Sequence, residues 1–289
     1  MIDETGTILV GVDGSTNAAT AVDWAAEEAA LHGWHLQLLH ARVIDDPYGD
    51  VVHRPEGATS LPAYLEAHQA RLAENWPQVD VRIEAVRGNP AKVLIERSSA
   101  SVMTVVGARG RSLVDRMRLG SVSRHVANHA HSVVAVVREP VPTGVGHPVV
   151  VGIDDSEHAH EVLAWAAWEA RVRAARLVVV HAWDVPLGDP YGAWMPTVEM
   201  AEALEKEARD FTLDAVGALG DETRGMDVDV RVERGHPVAV TSRLADTAQL
   251  LVLGTHGRGW FEGMVAGSVT SAALHDAPCP VLVVPREPV

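Results

Sequence analysis

Short apolar runs alternate with helical patterns along the whole chain. In the first half the runs fall at 8–13, 36–43, 79–86, 102–106 and 133–137 and are rich in Val, Ile and Leu. Most are too short for helices and read as strands. Several are apolar throughout instead of alternating, as expected of parallel strands buried on both faces. Between the first two lies Thr16–His32, alanine-rich, with Ala18, Ala21, Val22, Ala25 and Ala29 at helical spacing and Gly33 where a helix C-cap would sit. The regular alternation of strand and helix predicts an α/β fold, a doubly wound parallel sheet of five strands in each half.

The second half repeats the first. Thr7-Ile-Leu-Val-Gly-Val-Asp-Gly-Ser15 recurs as Pro148-Val-Val-Val-Gly-Ile-Asp-Asp-Ser156, a shift of 141 positions (13 to 154). Trp24-Ala25-Ala26 and His40-Ala41 recur at the same shift as Trp165-Ala166-Ala167 and His181-Ala182. Later matches, Arg87-Gly88 with Arg234-Gly235 and Val106-Gly107 with Leu253-Gly254, are shifted by 147 positions (107 to 254), so the second half gains residues between His181 and Gly235. Pro186, Gly188, Pro190 and Gly192 mark the loop that absorbs them. The expected division is 1–140 and 147–289, with a Pro- and Gly-bearing linker at about 138–147.

Charge and composition narrow the function classes. Apolar residues at 47% and charged residues at 22% are ordinary globular usage, which excludes a disordered or collagen-like chain. The net charge of −15 opposes binding to nucleic acid or anionic membranes. The single cysteine, Cys279, permits no internal disulfide. No apolar run approaches the roughly 20 residues of a membrane span, and Met1–Thr5 is acidic where a signal peptide would be basic. A cytoplasmic protein is the expectation.

The candidate chemistry follows the fourth strand of each half. Gly107-Ala108-Arg109-Gly110 is followed nine residues later by Gly120-Ser121-Val122-Ser123, and Gly254-Thr255-His256-Gly257 by Gly267-Ser268-Val269-Thr270. This G-x-x-G-x(9)-G-[ST] spacing ends at expected helices over 122–129 and 269–277. Glycines let a backbone approach a ligand, and the free N–H groups of a helix start, with nearby hydroxyls, make an anion site. Phosphate is the obvious anion. The first strand of each half ends in a carboxylate, Asp13 or Asp154, followed by a serine. An N-cap arrangement accounts for either alone. Its recurrence beside the glycine loop, where ligands bind in open α/β sheets, points instead to a shared crevice.

These ordered motifs, with Pro278-Cys-Pro-Val-Leu-Val-Val284 at the end, resemble the universal stress protein family, with the domain present twice as in its tandem mycobacterial and actinobacterial members. The resemblance implies two adenine-nucleotide alpha-hydrolase-like domains of strand order 3-2-1-4-5, each with one ATP site. It places Asp13 and Asp154 near ribose and base, and the backbone of Ala41 and Ala182, just after the second strand, against adenine. Gly107, Arg109 and Gly110 would lie along ribose and phosphates, as would Gly254, His256 and Gly257. Gly120, Ser121, Val122 and Ser123, with Gly267, Ser268, Val269 and Thr270, would hold the phosphates. Arg109 departs from the His common at its place; His256 keeps it. The resemblance also implies that the two fifth strands pair with each other about a pseudo-twofold axis, and that the tandem chain forms a homodimer.

The two sites need not be equal. Between Gly107 and Arg124 the first half carries Arg109, Arg111, Arg116, Arg118 and Arg124 against Asp115; the second has Arg258 and His256 against Glu262. If the arginines face the crevice, the first site holds triphosphate more tightly; if they sit on a solvated loop, it does not. Other features read as structural. His125, His129 and His131 fit a solvated helix face better than a metal site, and the acids and histidines over 154–161 fit a helix start. Trp24 and Trp165 are expected in the core, whereas Trp183, Trp194 and Trp260 lie in or near loops beside the crevice. No nucleophile elbow, Walker loop or dinucleotide fingerprint is present, so no catalytic residue is assigned. Asp13 suits Mg²⁺ bound to phosphates. The leading expectation is a nucleotide-dependent regulator of the stress response. Alternatives are a slow ATP hydrolase on the same site and a sensor module binding another adenine nucleotide.

Overall fold

The computed structural model describes residues 6–42, 61–110, 119–138, 146–185, 195–255 and 266–286. The first repeat runs β1 (Thr7–Gly11), α1 (Thr16–His32), β2 (His35–Arg42), α2 (Leu61–Asn75), β3 (Val81–Arg87), α3 (Pro90–Ser98), β4 (Met103–Gly107), α4 (Ser121–His129) and β5 (Val133–Val137). The second runs β6 (Val149–Ile153), α5 (Ala159–Val172), β7 (Leu177–Trp183), α6 (Val198–Ala218), a 3-10 turn (Gly220–Thr223), β8 (Val228–Arg234), α7 (Pro237–Ala245), β9 (Leu250–Gly254), α8 (Ser268–Asp276) and β10 (Val281–Val284). Two compact units emerge: Met1–Val141 with Leu274–Val289, and Pro142–Ala273.

In the first unit the strand order is β3-β2-β1-β4-β5, all parallel, with β10 added beside β5. That is the expected 3-2-1-4-5 winding. β10 lies antiparallel on β5, with Leu282 opposite Ala135, so the two fifth strands pair with each other. The second unit keeps the winding as β8-β7-β6-β9, again parallel. All of β5 and β10 is buried, which explains runs that are apolar at every position. On α1 the buried face is mostly alanine (Ala18, Ala21, Ala25, Ala26 and Ala29), so the helix backbone can lie close to β1 and β4.

Local chemistry sets the helix starts. Ser15 caps α1, its Oγ accepting from Ala18 N at 3.1 Å, and Gly33 closes the helix at φ 71°. Gly14, at φ 80°, gives the turn that presents Ser15 to the helix. In the second repeat Asp155 replaces Gly14, Ser156 Oγ instead donates to Asp154 Oδ1 (2.6 Å), and α5 starts only at Ala159, with no side-chain cap. Ser15→Ala is therefore expected to cost about 1 kcal/mol in urea denaturation, whereas Ser156→Ala removes no cap and should cost clearly less.

The tryptophans differ from expectation. Trp24 and Trp165 are half-buried, and Trp165 packs edge-on against Trp168. Their helices reserve the sheet-facing positions for alanine, which leaves an indole room only at the flank. Among the described residues the buried indole is Trp34, 2% exposed and stacked on His32.

Candidate functional site

β1 and β4 are neighbours, Ile8 opposite Met103 and Val10 opposite Val105, so the chain leaves both at one edge of the sheet. Asp13 follows β1, and its Oδ1 accepts from Ser15 N at 2.9 Å. Gly110 sits against it: a Cβ there would lie 2.6 Å from Asp13 Oδ2. The G-x-x-G loop is pinned at its first two residues. Ala108 N donates to Val137 O (2.7 Å), Gly120 N donates to Ala108 O (2.7 Å), and Ser123 Oγ donates to Gly107 O (2.6 Å). Asp13, Gly107, Gly110, Gly120 and Ser123 are thus brought together. Arg109 is exposed beside them, and Ser121 is exposed at the first turn of α4.

Two of these residues do other work than their type suggested. Ser123 is buried and spends its hydroxyl proton on Gly107 O, tying the helix to the strand end. At Gly107 a Cβ would meet Asn17 O at 2.7 Å and Asn17 C at 2.8 Å, so this glycine admits the start of α1. What faces outward is backbone. Gly120 caps α4 with no side chain, and the first helical bond is Arg124 N to Gly120 O at 3.0 Å. The N–H groups of Ser121, Val122 and Ser123 therefore have no acceptor within the helix.

The second repeat builds the same arrangement around a cavity of about 450 Å³. Asp154, Ala182, Gly254, Gly267, Ser268, Val269 and Thr270 all line it. Thr270 Oγ1 donates to Gly254 O (2.7 Å), Gly267 N donates to Thr255 O (2.8 Å), and Ser271 N donates to Gly267 O (2.8 Å). These bonds match those of Ser123, Gly120 and Arg124. Its volume suits a small organic ligand.

The model of the universal stress protein family matches residues 4–138 and 147–285. The chain belongs to the universal stress protein family. A universal stress protein of Mycolicibacterium smegmatis is 35% identical over 300 residues, covering 96% of both chains. One of Mycobacterium tuberculosis is 34% identical over 306 residues, covering 97% of this chain and 96% of the relative. The crystal structure of a universal stress protein from Archaeoglobus fulgidus shares the fold at a TM-score of 0.65 and 19% identity, covering 97% of this chain and 98% of that one.

Within this tandem universal stress protein some expectations shift. Ala41 and Ala182 lie on β2 and β7 rather than after them, because β3 and β8 extend the pairing to Arg42 and Trp183. His256 and Gly257 lie outside the described residues, as do Arg111, Arg116, Arg118, Trp194 and Trp260. His125 and His129 are exposed on α4, their rings stacked at 4.7 Å, with His129 Nδ1 donating to His125 O. Trp183 does line the cavity, and Arg234 lies over its ring at 5.8 Å.

Sequence reasoning missed the wall that α6 supplies: Leu204, Glu207, Ala208 and Phe211. Phe211 meets His181 edge-on, and His181 Nδ1 bonds Thr212 Oγ1 at 3.1 Å. Thr212 donates its own proton to Ala208 O, so His181 Nδ1 is the donor in that pair. His158 stands at the start of α5, as read from the 154–161 cluster, and it also lines the cavity, its ring packed on Gly254 and its Nδ1 2.7 Å from Glu161 Oε2. Among the described residues no helix is long and apolar enough to cross a membrane.

Proposed function

We propose that this universal stress protein binds an adenine nucleotide, ATP in the leading reading, at one site in each repeat, and that occupancy regulates its part in the stress response. One observation carries the reading. In the second repeat the carboxylate after the first strand, the end of the fourth strand and the open helix start after Gly267 line one cavity of ligand size. The helix start offers N–H donors and a positive dipole end to phosphate. Asp13 and Asp154 suit ribose hydroxyls, or a Mg²⁺ ion carried in on the phosphates. Bound nucleotide would act as a state signal, and a partner or a second copy of the chain would read that state. The protein acts as a binding device and not as a turnover enzyme.

Mass spectrometry of what the denatured protein releases, followed by titration with Mg-ATP, tests this directly. No released nucleotide together with no binding would refute it. A variant separates the helix start from the side chains around it. Gly120 is extended (φ −71°, ψ 153°), the conformation required before proline, and Ser121 is the first residue of α4. Ser121→Pro should leave stability within about 1 kcal/mol, because proline is tolerated at that position. It removes one N–H donor and should weaken ATP binding about tenfold, while Ser121→Ala loses less. Equal affinity in the proline variant and the wild type would remove α4 from the phosphate site.

A further inference from the structure

The nucleotide reading treats the two repeats alike, but the cavity in the second is acidic. Asp154, Asp155, Asp184 and Glu207 line it, and no Lys or Arg does among the described residues. Gly14 occupies the position in the first repeat that Asp155 holds here. Arg234 stands at the rim, engaged with Asp184 (3.7 Å) and with the face of Trp183.

Two of the hydroxyl donors are turned inward as well. Thr270 Oγ1 donates to Gly254 O and Ser156 Oγ to Asp154 Oδ1, so neither proton is offered to a phosphate. What remains for an anion is the start of α8, equivalent to about half a positive charge, and the exposed Ser268 hydroxyl in its first turn. An apolar part of the wall, Val162, Leu204, Ala208 and Phe211, suits a planar base, with His158 and His181 beside it.

Resting on the adenine-nucleotide reading, we infer that the second-repeat cavity selects against phosphate charge. It takes adenosine in preference to free ATP, and accepts ATP better when a divalent cation neutralises the phosphates. The acids set this preference within a cavity already built for a base; they are not a metal site in themselves.

The test needs a signal local to this cavity. The full chain is labelled with 5-fluorotryptophan at all its 8 tryptophans, and the Trp183 resonance is assigned with Trp183→Phe. Adenosine, AMP and ATP are then titrated with EDTA present. Adenosine is expected to half-saturate the Trp183 signal at about tenfold lower concentration than ATP at low salt. Added salt should strengthen ATP binding by screening the repulsion, the reverse of its effect on a basic phosphate site. Glu207 is exposed at the wall, so Glu207→Gln should fold normally and narrow the gap between the two ligands. ATP binding at least as tightly as adenosine without a divalent cation overturns the inference and leaves the nucleotide reading standing. A silent Trp183 signal, with labelled nucleotide still bound in equilibrium dialysis, overturns it too. No binding of any adenine ligand in dialysis removes the underlying reading itself.

Discussion

Gly107→Ala should destabilise the first unit by about 3 kcal/mol, read as a lower urea midpoint at unchanged slope. The new methyl would sit 2.7 Å from Asn17 O, 2.8 Å from Asn17 C and 3.1 Å from Ala18 N. All three are backbone atoms at the start of α1, so no rotamer change relieves the clash; helix and strand must separate. Gly120→Ala is the matched control. Its nearest neighbours, Ala108 O, Gly110 N and Ser123 Oγ, stand at 3.5 Å, ordinary contact distance. Gly120→Ala should cost under about 1 kcal/mol. A loss of ligand binding in Gly107→Ala would therefore report a damaged fold, whereas a loss in Gly120→Ala would report the site. Gly254 lies between them, because its close neighbour is the His158 side chain, which can move.

Leu282→Asp should have the larger effect, a loss of roughly 4–5 kcal/mol and of soluble protein on expression. Leu282 is 0% exposed, in the middle of β10 and opposite Ala135 of β5, which is also 0% exposed. An ionised carboxylate there has no solvent and no cation, and a neutral one still breaks the apolar layer. The strand that covers β5 would come away and leave five buried residues, Val133–Val137, as an open edge. Light scattering should then show association, because a bare apolar edge pairs with whatever strand it meets. A soluble, monomeric Leu282→Asp with wild-type stability would mean that β10 is dispensable to the first unit.

Much of this was legible before any coordinates. The helix over Thr16–His32 and its Gly33 cap are as the alanine spacing and the glycine indicated, because both signals are local. The parallel sheet was legible in the alternation of strand and helix, whereas the 3-2-1-4-5 order came with the family resemblance; β10, apolar throughout yet antiparallel to β5, shows that an apolar run alone does not fix direction. The convergence of Asp154 with Gly254 and Gly267 followed from the places of the first two at strand ends and of Gly267 at a helix start. Three things were not legible. The glycine motif does not distinguish a glycine that admits a ligand from one that admits a helix, and Gly107 is the second kind. Ser123 and Thr270 look like phosphate donors by type, but their hydroxyls reach back to a carbonyl, which only three-dimensional geometry decides. The α6 wall with Glu207 and Phe211 lies where the two repeats fall out of step, so the internal comparison offers no counterpart to align.

The place of β10 also bears on the order of events during synthesis. β5 is complete at Val137, but the strand that covers it spans Val281–Val284. The first repeat therefore leaves the ribosome with an uncovered apolar edge and waits while the second repeat is translated, about ten seconds or more at ordinary elongation rates. Contacts so far apart in sequence form slowly, since a long loop must close first. Early in its life the protein is thus a nascent chain in need of protection at one strand, and chaperone demand should concentrate there.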